Sequence, residues 1–218
     1  MTEVLKKAHS ATVGAWVDGW VISRRAPRPV PQPWGWRVDV GLPGHVARHI
    51  VAAPTPDILH QLTSRITTPG TWLKLCAPAE AVVPHLPPGW RVEEPEYMMT
   101  ATLPLRTPQP SAPAGYTLAV TTRAGVTVAR VLTNAGEVAA RGQFAPTGRT
   151  AVVDQVETAA RHRRRGLGTV IMRTLASAAA SAGARHGILV ATADGRALYE
   201  TLGWTVHTPM TAAVLTKA

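Results

Sequence analysis

The stretch Arg163-Arg164-Arg165-Gly166-Leu167-Gly168-Thr169 lies where the hydrophobic period of the sequence changes from that of a strand to that of a helix. Residues 151–158 (AVVDQVET) are typical of a strand, and the apolar residues from 167 to 182 recur at helical spacing. The first turn of a helix has unpaired N–H groups, and the glycines let a ligand oxygen approach them. With three arginines beside it, the turn predicts a pyrophosphate site; the alternative is a solvated arginine run.

Two other phosphate-binding motifs fit this turn poorly. A dinucleotide fingerprint requires a third glycine, where the chain has Ile171, and an acidic ribose partner about 20 residues further on, which is missing. A nucleotide P-loop requires a Gly-Lys pair, which the sequence lacks. Neither motif therefore explains the turn.

The turn resembles the Arg/Gln-x-x-Gly-x-Gly/Ala signature of the GNAT superfamily, the acyl-CoA-dependent N-acyltransferases, with Arg163 to Gly168 as the match. Residues 197–204 (ALYETLGW) resemble a second segment of that family, A-L-Y-E-x-L-G-F/W. The two motifs stand in the family's order, 31 residues apart from Gly168 to Tyr199. Residues 116–218 are therefore similar to a GNAT domain.

This resemblance implies a fold and a cosubstrate. The implied fold class is α/β (α+β), a GNAT-like mixed, mostly antiparallel twisted sheet flanked by helices, with an N-terminal α/β subdomain. The implied cosubstrate is acetyl-CoA, with no metal, its pyrophosphate on the glycine turn and its pantetheine arm along the preceding strand. The residues implied in binding it are Val156, Thr158, Arg163, Arg164, Arg165, Gly166, Leu167, Gly168 and Thr169.

The same resemblance suggests catalytic residues. Tyr199 matches the family tyrosine near the departing sulfur, where a phenol protonated at pH 7 would act as general acid; the alternative is a core aromatic. A protonated amine is not a nucleophile, so its proton needs an acceptor. Asp154 shares strand parity with Val156 and Thr158, whereas Glu157 faces the cleft only if a bulge redirects it. Both carboxylates are candidate bases; a solvated or salt-bridged carboxylate and a water chain are the alternatives.

Proline content divides the chain. Seventeen of the 19 prolines fall between Pro27 and Pro113, and residues 104–113 (PLRTPQPSAP) are typical of a stiff, extended connection. We therefore expect a Pro/Trp-rich subdomain over 1–110 and a GNAT-like catalytic domain over 111–218. The first two strands of that domain leave no room for the helices that shape the family's acceptor site, so the N-terminal subdomain is expected to supply that wall. It is also a candidate for a degenerate second GNAT-like half.

In the N-terminal half, the pattern predicts short strands and helices. Residues 13–23 and 36–40 are expected to be extended, and residues 58–66 to form a helix after the Pro56-Asp57 start signal. Further along, Asp194 is expected to cap the helix that carries the second motif.

Composition excludes several classes of protein. No apolar run reaches the roughly 20 residues of a membrane span, and no secretory signal is recognisable, so a cytoplasmic protein is expected. The single cysteine, Cys76, excludes an internal disulfide and a cysteine-based zinc site. The net charge is +10, and most of the excess of basic over acidic residues lies in the second half of the chain, which favours a local anion site.

The sequence thus predicts an enzyme that moves an acetyl group from acetyl-CoA to a primary amine, by direct attack in a ternary complex. The acceptor is an amine-bearing small molecule, peptide or protein; no specific nucleic acid and no membrane is expected as partner, and the protein is a monomer or homodimer. One alternative is a catalytically silent CoA-binding sensor or interaction module. A nucleic-acid-binding protein is a third, and it predicts steep salt-dependent affinity that CoA would not compete away.

Overall fold

A computed structural model describes residues 8–104 and 111–216. Its helices are α1 (Ser10–Arg24), α2 (Pro56–Thr63), α3 (Ala79–Val82), α4 (Leu167–Ser181) and α5 (Ala193–Thr201). Its strands are β1 (Val30–Gln32), β2 (Gly35–Leu42), β3 (His45–Val51), β4 (Thr71–Leu75), β5 (Trp90–Val92), β6 (Glu96–Thr102), β7 (Tyr116–Arg123), β8 (Val126–Thr133), β9 (Val138–Thr147), β10 (Thr150–Thr158), β11 (His186–Thr192) and β12 (Thr205–Leu215). Most of the predicted connection at 104–113 lies outside these described residues, so the boundary at 110 stays a prediction.

All the strands join one mixed sheet in the order β1-β2-β3-β4-β12-β6-β11-β10-β9-β8-β7, with β5 beside β12. Only β3–β4 and β10–β11 pair in parallel within the described ranges, and each of these pairs is connected through a helix, α2 or α4. The other pairs are antiparallel. This mixed, mostly antiparallel sheet flanked by helices confirms the predicted fold class. The helices join the parallel neighbours because a parallel pair needs a crossover, whereas an antiparallel pair needs only a turn.

The two halves of the chain exchange strands. The strand β6, from the first half, lies between β11 and the first part of β12, where Ile188 pairs with Thr100 and Thr205 with Thr100 from the other side. The last part of β12, from the second half, lies between β4 and β5. Each half therefore completes the sheet of the other, so the strands on either side of residue 110 form one continuous sheet.

The segment over 13–23, expected to be extended, is the helix α1, so that prediction is wrong. Its β-branched and aromatic residues favour a strand by propensity and its glycines disfavour a helix, but Val13, Trp16, Val17, Trp20 and Val21 follow helical spacing and are all buried. Burial of this face outweighs local propensity, since packing of an amphipathic face supplies most helical stability.

The helix α1 packs across strands of both halves. Its buried residues form one apolar cluster with Val38 and Ile50 from the first half and Val152 and Ile188 from the second. Opposite this face, α4 and α5 cover the sheet of the second half. The β7–β8 connection is a short turn, as expected, and α1 supplies the helical layer that this turn leaves out.

Gly19→Ala is expected to destabilise the protein. A Cβ at Gly19 would lie 2.5 Å from the Cβ of Val152, and both residues are buried, so helix or strand must shift. Overpacking costs about 1–3 kcal/mol or more, against a gain of about 1 kcal/mol in helix propensity. Urea unfolding at pH 7 measures the net loss, with the neighbouring exposed Asp18→Ala as control. A Gly19→Ala protein as stable as this control would contradict the close packing of α1 on β10.

Candidate active site

Beyond residues 152 and 188 the strands β10 and β11 no longer pair with each other, and the unpaired stretch between them is called the cleft. These parallel strands pair over three positions only, Thr150–Val152 with His186–Ile188, and then diverge towards their carboxyl ends. The other parallel pair, β3 and β4, stays in register over five positions. Diverging strands leave backbone groups and an apolar gap between them, which is the kind of place where an extended ligand binds.

The arginine–glycine turn lies at the mouth of this cleft. Arg164 and Gly166 adopt left-handed backbone conformations, with φ of 60° and 74°, and Gly166 precedes α4. In the part of the chain that the structure describes, the six amides of residues 164–169 donate to no backbone or side-chain acceptor. Consecutive unpaired N–H groups at a helix start form an anion-binding concavity.

Arginine side chains surround the turn without neutralising it. Arg163 donates to the Thr158 carbonyl over 3.3 Å, which ties the turn to the end of β10. Arg165 donates to the Tyr116 hydroxyl over 3.1 Å, and that hydroxyl lies 2.9 Å from Nδ1 of His162. No described carboxylate forms an ion pair with any of the three arginines from 163 to 165. Charge and amides together favour binding of an anion here.

A bulge in β10 decides which way its side chains point. Asp154 lies opposite Gln143 and Glu157 lies opposite Arg141, so Gln155 and Val156 have no separate partners in β9. Gln155 takes a φ of 54° to accommodate the extra residue. Because Gln143 and Arg141 are two residues apart, Asp154 and Glu157 share one face. The expectation that Asp154 shares the face of Val156 and Thr158 is therefore wrong.

The two candidate bases differ in their surroundings. Asp154 accepts two hydrogen bonds from Arg24, at 2.6 and 2.9 Å, one from the Ser23 hydroxyl at 2.9 Å and one from the Gln155 amide at 2.8 Å. Each carboxylate oxygen therefore has two donors. Glu157 is exposed and forms no ion pair with any described residue.

Tyr199 is buried on α5, with 7% of its surface exposed. A Cβ at Gly195 would lie 3.2 Å from its ring, so this glycine backs the tyrosine. Burial, and to a smaller extent the negative charge of Asp154, raise the pKa of Tyr199 to about 12. The phenol is therefore protonated at neutral pH.

Sequence reasoning missed the residues that hold Asp154. Ser23 and Arg24 end α1 and reach β10 across 131 and 130 positions of sequence, and Gln143 bonds both the carbonyl and the hydroxyl of Ser23. No local pattern identifies such a pairing. The N-cap of α5 is Thr192, whose hydroxyl accepts from the Gly195 amide, so the prediction of Asp194 as the cap is wrong.

Other candidate chemistry is not supported by the structure. Burial raises the pKa of the Cys76 thiol to about 12, which leaves it un-ionised and a poor nucleophile.

The residues that the structure describes contain no cluster of three or more His, Cys, Asp or Glu fit to hold a metal. Among those residues, no helix has the length and hydropathy to cross a membrane.

Comparison with known families gives one match. The family model of the acetyltransferase (GNAT) family matches residues 81–204, a range that contains β10, the arginine–glycine turn and Tyr199. No curated protein sequence matches the chain significantly.

Solved structures share the fold over almost the whole chain. A GCN5-related N-acetyltransferase from Kribbella flavida is 17% identical, with 99% of this chain and 98% of that chain covered and a TM-score of 0.66. A GNAT-family protein from Novosphingobium aromaticivorans is 22% identical, with coverages of 96% and 99% and a TM-score of 0.60. A tandem GNAT protein from the clavulanic acid biosynthesis pathway is 14% identical, with 96% of both chains covered and a TM-score of 0.54.

Proposed function

The chain belongs to the acetyltransferase (GNAT) family, and on that premise we propose that it transfers an acetyl group from acetyl-CoA to a primary amine. The family supports acyl transfer in general and implies acetyl-CoA as the donor. One observation carries the proposal for this chain: six unpaired amides lie beside the opening between β10 and β11. Such an arrangement suits a diphosphate followed by an extended arm.

In this proposal, the coenzyme lies along the turn and the edge of β10. Its diphosphate accepts hydrogen bonds from the amides of residues 164–169, with Arg163 to Arg165 supplying positive charge. Its pantetheine arm runs past Val156 and Thr158, at the splayed end of β10. The bulge at Gln155 and Val156 breaks the ladder there, which suits a backbone N–H aimed at the thioester carbonyl.

Tyr199 is proposed to donate a hydrogen bond to the departing sulfur. A phenol with a pKa of about 12 is a weaker acid than an ordinary thiol, whose pKa is about 8.5. Complete proton transfer to the thiolate is therefore unfavourable, and stabilisation through the hydrogen bond is the main effect. This refines the general-acid role expected from the sequence.

The two carboxylates of β10 are proposed to have different roles. Asp154 already has four donors, which favours a positioning role: it fixes the bulge through the Gln155 amide and holds α1 through Arg24. Glu157 shares the face of Asp154 and is open to solvent, so a water relay between Glu157 and the amine is compatible with the geometry. The roles of Asp154 and Glu157 as base stay predictions.

We propose a single coenzyme site and a second, degenerate GNAT-like unit in the first half. The order β3-α2-β4 repeats β10-α4-β11, and the strand exchange is reciprocal. However, β3 and β4 remain paired over five positions, and Thr55 caps α2 through its side chain in place of a glycine turn. Likeness in fold to a tandem GNAT protein supports this division. The boundary at 110, the cytoplasmic location and the oligomeric state stay predictions.

A thiol-release assay tests the proposed function. Purified protein, acetyl-CoA and a panel of primary amines should release free CoA in amounts equal to the acetylated amine measured by mass spectrometry. Calorimetry with CoA alone measures binding independently of turnover. Binding without turnover on any amine would favour the sensor alternative, and absence of binding would contradict the proposal itself. Salt-dependent binding of DNA or RNA that CoA leaves unchanged would favour the nucleic-acid alternative.

A further inference from the structure

We propose that the acceptor amine carries a carboxylate, and that the guanidinium of Arg48 binds it within a polar cluster of the first half of the chain. The inference rests on the proposed acetyl transfer and adds the chemical class of its acceptor. The polar cluster is formed by the mutual contacts of Trp20 on α1, His45 and Arg48 on β3, Trp72 and Lys74 on β4, and Glu96 on β6.

Arg48 lacks a carboxylate partner in the described part of the chain. Its Nε donates to Nε2 of His45 over 3.2 Å, and its guanidinium lies 4.1 Å from the centre of the Trp20 ring. Burial lowers the pKa of Arg48 to about 10, although its surface is not fully closed to solvent. A desolvated guanidinium without a counter-ion is costly, and a ligand carboxylate is the group that matches its paired donors best.

The other cations of this region are already paired. Buried Lys74 forms an ion pair with Glu96, and the more exposed Arg24 forms one with Asp154. Of Lys74, Arg24 and Arg48, Arg48 is therefore the cation without a carboxylate at ion-pair distance among the described residues. A carboxylate on the acceptor would supply that partner.

Aromatic rings form the walls around this charge. The His45 ring lies between those of Trp20 and Trp72, with centroid distances of 6.1 and 5.6 Å. Burial, and after it the positive charge of Arg48, lower the pKa of His45 to about 4. His45 is therefore neutral at physiological pH and accepts the Arg48 hydrogen bond without adding a positive charge. These walls suit the carbon skeleton of an amino acid.

The polar cluster adjoins the proposed reacting centre through α1. Arg48 stacks on Trp20, and Arg24, about one helical turn after Trp20 on α1, pairs with Asp154 at the bulge of β10. Glu96 pairs with Thr192 at the carboxyl end of β11, where the cleft is open. A carboxylate held at Arg48 would thus keep its own molecule beside the bulge of β10, with the amine directed to the thioester.

The reaction with such an acceptor balances without an additional reactant. The neutral amine attacks the thioester carbonyl, a C–N bond forms and the C–S bond breaks. The electron pair leaves on the sulfur of CoA, and the surplus proton of the amine passes to solvent. The product is an N-acetylated amino acid that retains its carboxylate.

Matched acceptors test the inference with the unmodified protein. Phenylalanine, β-alanine and 5-aminopentanoate are compared with their carboxamides, with kcat/KM corrected for the fraction of unprotonated amine. A charge-assisted pair at Arg48 predicts a preference for the acids of roughly 10- to 100-fold. Equal rates for acids and amides would overturn the inference and leave the proposed acetyl transfer intact. In contrast, failure of every amine would count against the proposed function.

Variants then locate the preference. Arg48→Gln should abolish it, Arg48→Lys should retain part of it, and Arg37→Gln should leave it unchanged, since exposed Arg37 pairs with Asp39 at the surface. CoA affinity and thermal unfolding confirm that each variant is folded. Quenching of tryptophan fluorescence by N-acetylphenylalanine, but not by its amide, gives a readout independent of turnover. Retention of both the preference and the quenching in Arg48→Gln would overturn the assignment to Arg48.

Discussion

Gly168→Asp is expected to lower the affinity for CoA by at least about 100-fold. A Cβ at this position points into the gap between β10 and α5, 3.0 Å from Cδ2 of Leu198 and 3.9 Å from Oγ1 of Thr158. A carboxylate there would face the proposed diphosphate, and two like charges about 4 Å apart repel by about 4 kcal/mol at the effective dielectric of a protein surface. It would also cancel the positive end of the α4 dipole.

Two control variants distinguish the effect of the added charge at position 168 from the effect of added side-chain volume there and from the effect of a new charge elsewhere on α4. Gly168→Ala adds only the Cβ, and the flexible end of Leu198 can move away, so most of the affinity should remain. Ser181→Asp places the same charge at the exposed far end of α4 and should leave CoA affinity nearly unchanged. Calorimetric titration of each folded variant with CoA measures the effect. If Gly168→Asp bound CoA as tightly as Ser181→Asp, the diphosphate would have to lie elsewhere.

Tyr199→Phe is expected to reduce kcat by about 100-fold or more, within the range for loss of a positioned acid, while CoA binds with unchanged affinity. The substitution removes only a hydroxyl, and the ring continues to pack against Gly195 and Trp204. The departing thiolate then loses its donor, so the loss appears in the chemical step. Because the pKa of Tyr199 is about 12, ionisation of this phenol should not affect the rate below about pH 11.

Single-turnover measurements separate this chemical step from product release. Tyr97→Phe is the matched control, since the Tyr97 ring stacks on exposed Arg196 with 4.6 Å between the ring centroid and the guanidinium carbon. The control should keep most of the wild-type rate. A Tyr199→Phe enzyme as fast as the control in the chemical step would leave the tyrosine with a packing role only.

The arginine–glycine turn and α4 were predictable from the sequence because their signals are local. A glycine at 166 with φ of 74°, an apolar period of 3.6 and a glycine after the helix all lie within 20 residues. Each of these elements is decided by conformational preferences that neighbouring residues impose on one another.

The orientation of Asp154 and Glu157 could not be predicted from the local sequence. Strand parity alone places Asp154 and Glu157 on opposite faces of β10, whereas the additional residue of the bulge places them on the same face. The bulge depends on the register against β9 and on the hydrogen bond from the Gln155 amide to Asp154. A sequence pattern of period two cannot indicate a change of register that a neighbouring strand imposes.

The sequence by itself determined the class of this protein: the sheet with crossover helices, the glycine turn and the tyrosine segment that place it in its family. Only the tertiary structure decided that α1 covers both halves, and that β6 and the last part of β12 each pair with strands of the other half. It also decided that Arg24 holds Asp154 from 130 residues away. It also stacked Arg48 of β3 on Trp20 of α1. The physical reason is distance along the chain: these contacts form when buried faces meet, and nothing in the neighbouring residues records which faces those are.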